Sequence, residues 1–354
     1  MDFEVRRDDL RTTRVEESAP PEPNGGEALL RVDHFALTAN NVTYAVMGDA
    51  MSYWQFFPAP EEGWGRVPVW GYADVETSEV PGLTEGQRVY GYLPMSTLLV
   101  VTPGRVGDHS FVDASTHRAS LPPVYNQYLL VDGVDRSREA ATALLRPLFA
   151  TAFLIDDWLT EDDATPPEQI VLASASSKTA LGLAYLLHER GAASVVGLTS
   201  LGNAGFVESV GYYDRTVTYD RIDRVPVDVP TAFVDMAGDG RVLGAVHHHL
   251  GESLRTSCLV GVTHWEQGGA PADLPGPAPS FFFAPDRVEK RRADWGPGGL
   301  DSRLGEAFDR FLASVDGWLE IVERRGPDEM GATWLEVLEG KAPPQRGYVI
   351  SPSS

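Results

Sequence analysis

Between Gln169 and Tyr219 the chain reads QIVLASASSKTALGLAYLLHERGAASVVGLTSLGNAGFVESVGYYDRTVTY, and its first turn gathers small hydroxyls and one ammonium. Ser174, Ser177 and Ala180 stand three apart, with Ser176, Lys178 and Thr179 among them. A helix that starts on small residues offers unpaired backbone N–H groups and the positive end of its dipole, which suits a phosphate. Ser176 or Ser177 can cap such a helix. Their hydroxyls and the Lys178 ammonium can reach phosphate oxygens. The usual dinucleotide loop uses glycines so that backbone can approach the pyrophosphate; here serines take their places. A serine-capped structural helix is the competing explanation. A Walker phosphate loop is excluded, because Leu172 and Ser177 stand where that motif needs glycine.

About twenty residues on, an NAD site places Asp or Glu on the ribose hydroxyls. This chain has Thr199 and Ser200 there. With no carboxylate to repel a 2′-phosphate, NADP(H) is favoured over NAD(H). No Arg or Lys follows at once, so Thr199, Ser200, Asn203 and Tyr219 are the groups that would hold the phosphate.

These residues need elements to position them. Gln169–Ala173 and Ser194–Leu198 read as short buried strands, and Leu181–Leu187 as a helix with Gly191 at its stop. Strand, crossover helix and parallel strand make a right-handed unit with a ligand site beyond the strands' carboxyl ends. TAFVDMAG continues the pattern, closing at Asp235, Met236 and Gly238, and SCLVGVTHWE ends in Gly261, Thr263 and His264. PSFFFAP reads as one more strand. EAATALLRPLFATAFLIDDWLT, residues 139–160, reads as a long amphipathic helix entering this region. His247, His248 and His249 point in different directions on a helix, so a solvated face is expected rather than a metal site. Before all this, residues 1 to 130 read as strands and turns dense in Pro and Gly, as in a small, partly open barrel. YWQFFPAPEEGWGRVPVWGYADV is crowded with aromatics, which make core or line an apolar substrate cleft between domains.

Composition bounds the rest. The 354 residues suffice for two domains, and 43% apolar content fits an ordered globular chain. A formal charge of −22 repels nucleic acid and anionic membranes, so an anionic cofactor must be held by local groups. The one cysteine, Cys258, cannot form an internal disulfide and reads as a buried strand residue. No signal-like or membrane-spanning run is seen, and a cytoplasmic protein is expected.

Several stretches together resemble the medium-chain dehydrogenase/reductase superfamily, in its quinone-oxidoreductase-like branch. Ser174–Ala180 takes the place of that branch's AxxGxxG, and VTY ends a strand in Tyr219, beside the 2′-phosphate in NADP-dependent relatives. TANNVTYAVMG resembles the active-site segment, where an Asn and a Tyr face the nicotinamide; the matching positions are Asn41 and Tyr44. GLTEGQRVYGY resembles the family's G-D-x-V turn, and LEGKAPPQRGYVI its closing helix and strand. SASSKTA, GLTS, RPLFATAFLIDDWL and THWE look like an uncharacterised bacterial family within the superfamily. The resemblance implies an α/β chain with a Rossmann-like doubly wound parallel sheet, residues 136–285, and a GroES-like partly open β-barrel, residues 1–135 completed by 286–354. It also implies no zinc, since one cysteine cannot supply the zinc branch's ligands.

The activity so implied is NADPH-dependent reduction of an activated C=C or C=O bond in a small molecule. Tyr44 would donate the proton or polarise the carbonyl, oriented by Asn41. His264 is a second candidate acid, and Gly261 and Thr263 would pack along the nicotinamide ribose. Two alternatives stay open: a dinucleotide-binding protein without turnover, and a non-redox enzyme such as a lyase or cyclase. No nucleic-acid or membrane partner is expected, and dimers are common in that branch.

Overall fold

The computed structural model describes residues 1–17, 19–133, 135–161, 166–236, 238–261 and 273–353. The chain divides into two compact units, Met1–Leu145 with Glu320–Ser354, and Arg146–Leu319.

The first unit is built on antiparallel strands. β1 (Asp2–Arg6), β2 (Thr13–Glu16) and β4 (Trp64–Gly65) form a three-stranded sheet. The larger, nine-stranded sheet holds β3 (Ala28–Leu37), β5 (Pro68–Ser78), β6 (Arg88–Pro94), β7 (Leu98–Val101), β8 (Pro103–Gly104), β9 (Ser110–Asp113) and β10 (Gln127–Val131), with β17 (Glu320–Arg325) and β18 (Arg346–Ser351) from the end of the chain. Its order is β17-β18-β3-β5-β6-β10-β9-β8, and β7 also pairs with β3. One edge of β3 is shared: Ala28–Arg31 pairs with β7, and Phe35–Leu37 with β18. Register shifts in β3 let the strand bend between these partners, which curls the sheet as a GroES-like barrel requires. Phe3, Val32, Phe35, Val69, Val89, Phe111 and Trp334 are among the side chains of its core. Trp334 lies on α8 (Gly326–Leu338).

The boundary between the units falls within α2 (Arg136–Leu159), a helix close to the one expected from residues 139–160. The second unit is a six-stranded parallel sheet in the order β13-β12-β11-β14-β15-β16. Its strands are β11 (Gln169–Ala173), β12 (Ser194–Thr199), β13 (Arg215–Thr218), β14 (Thr231–Asp235), β15 (Leu254–Leu259) and β16 (Ser280–Phe281). Every residue of β11 and β14 is buried, as a sheet covered on both faces demands. The order is that of a doubly wound dinucleotide-binding fold, with its switch point between β11 and β14.

Residues 286–319 make their contacts in this unit, although the sequence reading joins them to the barrel. α6 (Ala284–Trp295) is tied to α2 by ion pairs of Arg287 and Arg291 with Asp157. α7 (Gly299–Leu312) stacks Phe311 on Phe149 of α2 and packs Phe308 against it at a tilt. PSFFFAP contributes only the two exposed residues of β16 before α6 begins. Among the described residues, no helix is long and apolar enough to cross a membrane.

Candidate functional site

The turn between β11 and α3 (Lys178–Arg190) is shaped by its serines. Ser174 adopts φ of 53°, in the left-handed region where the dinucleotide fingerprint places its first glycine. Ser177 is the N-cap, its Oγ accepting from the Ala180 N–H at 3.3 Å. That cap takes one of the four orphan N–H groups of the first turn; the remainder are what an anion uses. Ser176 Oγ accepts from Asn203 Nδ2 at 3.1 Å. The Ser174 N–H donates to Tyr219 Oη at 2.9 Å. Beneath the turn, a side chain on Gly197 would meet Ala175 Cβ and the Tyr213 ring, each at 2.9 Å, so glycine in β12 lets the turn settle onto the sheet. Lys178 and Thr179 open α3 half-buried, and burial pushes the Lys178 ammonium down to about 8.

The other residues expected at a cofactor site stand at strand ends. Thr199 closes β12, is buried, and is in register with Thr218 at the end of β13. Ser200 is exposed and leads into the 3-10 turn Leu201–Asn203, where Asn203 is half-buried. The turn and the loop are therefore joined by the Asn203–Ser176 bond, while Tyr219 bonds directly to the loop. Tyr219 is held above the ordinary tyrosine range by burial, an effect opposed by the Ser174 N–H. Asp235 closes β14 at the switch point and Met236 follows it, both buried. Asp235 Oδ1 accepts from the Gly238 N–H at 3.1 Å. Gly261 is buried beyond the end of β15. Thr263 and His264 lie outside the described residues. Cys258 is buried in β15, its thiol pushed up to about 12 by burial, which makes it inert.

Histidine placement departs from expectation. His247 is fully buried, with Nδ1 at 2.8 Å from Pro275 O and Nε2 at 2.8 Å from Ser257 Oγ. Only its neighbour His248 has the exposed position expected of that face. Among the described residues, Asp33, His34 and Glu139 group as metal ligands would. Their carboxylates are taken by guanidinium groups: Arg88 bonds Glu139 at 2.6 Å and Asp33 at 2.6 Å, and Arg136 bonds Asp33.

In the first unit, TANNVTYAVMGD, which follows β3, forms α1 (Ala39–Val46). Asn41 is the third residue of a capping box, its Oδ1 accepting from the Thr38 N–H at 2.7 Å. Its Nδ2 donates to Pro68 O at 2.8 Å, pinning α1 to the start of β5. The amide is thus held by backbone, and Tyr44 is positioned by other means. Tyr44 sits in an aromatic cluster with Tyr53, Phe56, Phe57, Tyr92 and Tyr125. The Trp70 indole N–H donates to Tyr44 Oη at 3.4 Å. Tyr92 and Tyr125 are members that sequence pattern did not single out: each stands in a strand or turn some distance along the chain. The aromatic crowding of residues 53–75 was the one signal of this cluster.

The second unit fits a dinucleotide on its own evidence: a switch point, a helix start below it, and a left-handed residue where glycine is usual. The comparisons agree in fold. CurA from Vibrio vulnificus, crystallised with NADPH, aligns with a TM-score of 0.64 at 15% identity, covering 97% of this chain and 94% of that one. A quinone oxidoreductase from Pseudomonas syringae pv. tomato gives 0.63 at 16% identity, with 99% of each chain covered. The ETR1P complex with NADP and crotonyl-CoA gives 0.60 at 10% identity, covering 99% of this chain and all of that one (100%). Identities this low carry the architecture alone, which is that of Rossmann-like and GroES-like units. No curated protein matches the chain. The model of the family described as "Protein of unknown function (DUF2855)" matches residues 35–343, and the chain belongs to that family.

Proposed function

We propose that this protein is a zinc-independent, NADPH-dependent reductase of an activated C=C or C=O bond in a small quinone-, enone- or enoyl-type molecule. The observation that carries the proposal is the Ser174–Lys178 turn at the switch point of the parallel sheet. When bound, the reduced nicotinamide supplies hydride. The first-turn N–H groups of α3, with Ser176, Ser177, Lys178 and Thr179, would hold the diphosphate. Thr199, Ser200, Asn203 and Tyr219 would hold the 2′-phosphate and ribose; Asp235, Met236, Gly261 and Thr263 would line the path toward the nicotinamide. Tyr44 is the proton donor in this scheme, with His264 as the second candidate acid. CurA and ETR1P, whose crystals contain NADPH and NADP, share the fold and support the choice of cofactor.

Fluorescence titration with NADPH and NADH tests binding, with tighter binding of NADPH expected. Loss of NADPH absorbance in the presence of quinones, enones and enoyl thioesters then tests turnover. Binding without consumption of NADPH by any of these would leave the second reading, a dinucleotide binder without turnover. That reading is favoured by one feature, the Asn41 amide held by backbone, which thins the acid–base set.

A further inference from the structure

The aromatic cluster of the first unit contains more donors than it can satisfy. Tyr44, Tyr53, Tyr92 and Tyr125 are all buried in it. Their rings turn about a common centre: Tyr44 lies 4.7 Å from Tyr53 and 5.6 Å from Tyr92, and Tyr92 lies 4.8 Å from Tyr125, centroid to centroid. The Trp70 ring closes the group at 5.0 Å from Tyr92. Few ordinary bonds tie the polar atoms together. Tyr53 and Tyr125 hydroxyls meet at 3.4 Å, and Trp70 Nε1 reaches Tyr44 Oη at 3.4 Å. Tyr92 Oη is buried with no hydrogen-bond partner among the described residues. A hydroxyl in that state weakens the fold, and phenylalanine would pack there at no such cost. Its presence therefore points to a charge that is absent at rest.

The charge that suits it is an anionic oxygen on Tyr44. We infer that Tyr92, Tyr125 and Trp70 are positioning residues for Tyr44, forming a cradle of donors that stabilises negative charge on its oxygen. This deepens the proposed reduction and rests on it for its purpose. When Tyr44 donates, its O–H bond breaks and the proton goes to the anionic centre that hydride addition leaves on the substrate. The electron pair stays on the Tyr44 oxygen, and solvent water later returns a proton. In a dry cluster an unsupported phenolate is costly, and neighbouring donor dipoles offset that cost. The neutral state shows the same balance. Burial holds the Tyr44 phenol above the ordinary range, while Trp70, the Asn40 amide and Tyr125 pull it back. The titratable groups facing it are Tyr53 from the turn after α1, Tyr92 from β6 and Tyr125 from the turn before β10. Among the described residues no carboxylate or ammonium bonds its oxygen.

The test measures charge on the oxygen without turnover. Difluorotyrosine placed at position 44 of the full chain ionises nearer neutrality, and its phenolate absorbance reports the ionisation constant. Tyr92→Phe and Tyr125→Phe should each lower that constant roughly threefold to tenfold. Tyr185→Phe, in the other unit, should leave it unchanged. Tyr92→Phe removes an unpartnered hydroxyl and should not lower the melting temperature, so it decides the matter even if Tyr125→Phe does not fold. An ionisation constant that is unchanged or raised in Tyr92→Phe overturns the cradle. Expected shifts in a protein that consumes no NADPH with any carbonyl would uphold the cradle and sink the reductase reading instead. In a protein that does turn over, Tyr92→Phe should lower kcat with KM unchanged; a change in KM alone overturns the positioning role.

Discussion

Lys178 begins α3 half-buried, with its ammonium lowered to about 8 by burial. A phosphate beside it favours the charged form, so binding must take up a proton once Lys178 has lost its own. NADPH affinity should therefore be level below a pH of about 8 and fall as pH rises through it. Fluorescence titrations across that range check this, and Lys178→Met should bind roughly tenfold more weakly at neutral pH with that fall absent. An identical profile in the variant would make Lys178 a structural residue. Asn41 asks a different question. Asn41→Ala removes the capping bond and the tether to Pro68 and should cost about 2 kcal/mol in urea unfolding. Asn41→Asp keeps the acceptor, loses the donor, and should cost less. The pattern Thr38-x-x-Asn41 was legible as a capping box with Asn in place of Glu or Gln. His247 was not legible, because its bonds to Pro275 and Ser257 depend on where a distant loop and strand pack.

At the level of elements, the β11–α3 turn shows how a serine can serve where glycine is usual. A left-handed conformation costs a side-chain-bearing residue about 1 kcal/mol relative to glycine. Ser174→Gly should thus raise stability by about that amount in thermal or urea unfolding, while Ser174→Val lowers it. No gain in Ser174→Gly would mean that the serine hydroxyl itself supports the turn. The strands around this turn were readable because buried parallel strands are continuous apolar runs: β11 and β14 fall within the stretches so read, and β12 runs one residue past Leu198. β15 begins at Leu254, three residues before the stretch read from Ser257, because Arg255 and Thr256 interrupt its apolar run. α6 was not readable. Its sequence APDRVEKRRADW buries only Arg287, so it has no apolar stripe, and its place is set by ion pairs to Asp157 and Glu161. α1 was hidden for the opposite reason: its eight residues are too few to show a period, and its hold on the barrel comes from Asn41 and the aromatic cluster.

At the level of the whole chain, the first unit is closed by its last residues. β18 lies between β17 and β3, pairing Tyr348, Val349 and Ile350 with Leu37, Ala36 and Phe35. Trp334 of α8 is fully buried and donates its indole N–H to Leu10 O at 2.8 Å. Gly347 passes so near Leu144 that a side chain there would clash with it. The C-terminal segment is therefore core, and its pairings span almost the full sequence. Contacts of that separation form late, since the loop they close must first be ordered. The second unit has no such dependence, being one continuous stretch, Arg146–Leu319. A chain ending at Gly340 keeps α8 but removes β18, which leaves half the β3 edge unpaired and β17 without a partner. Hydrogen exchange should then find the amides of β3, β5 and β6 unprotected while those of β11, β12 and β14 stay protected. Protection retained in β3 and β5 would show that the barrel closes without its final strand, and that β18 does not complete its assembly.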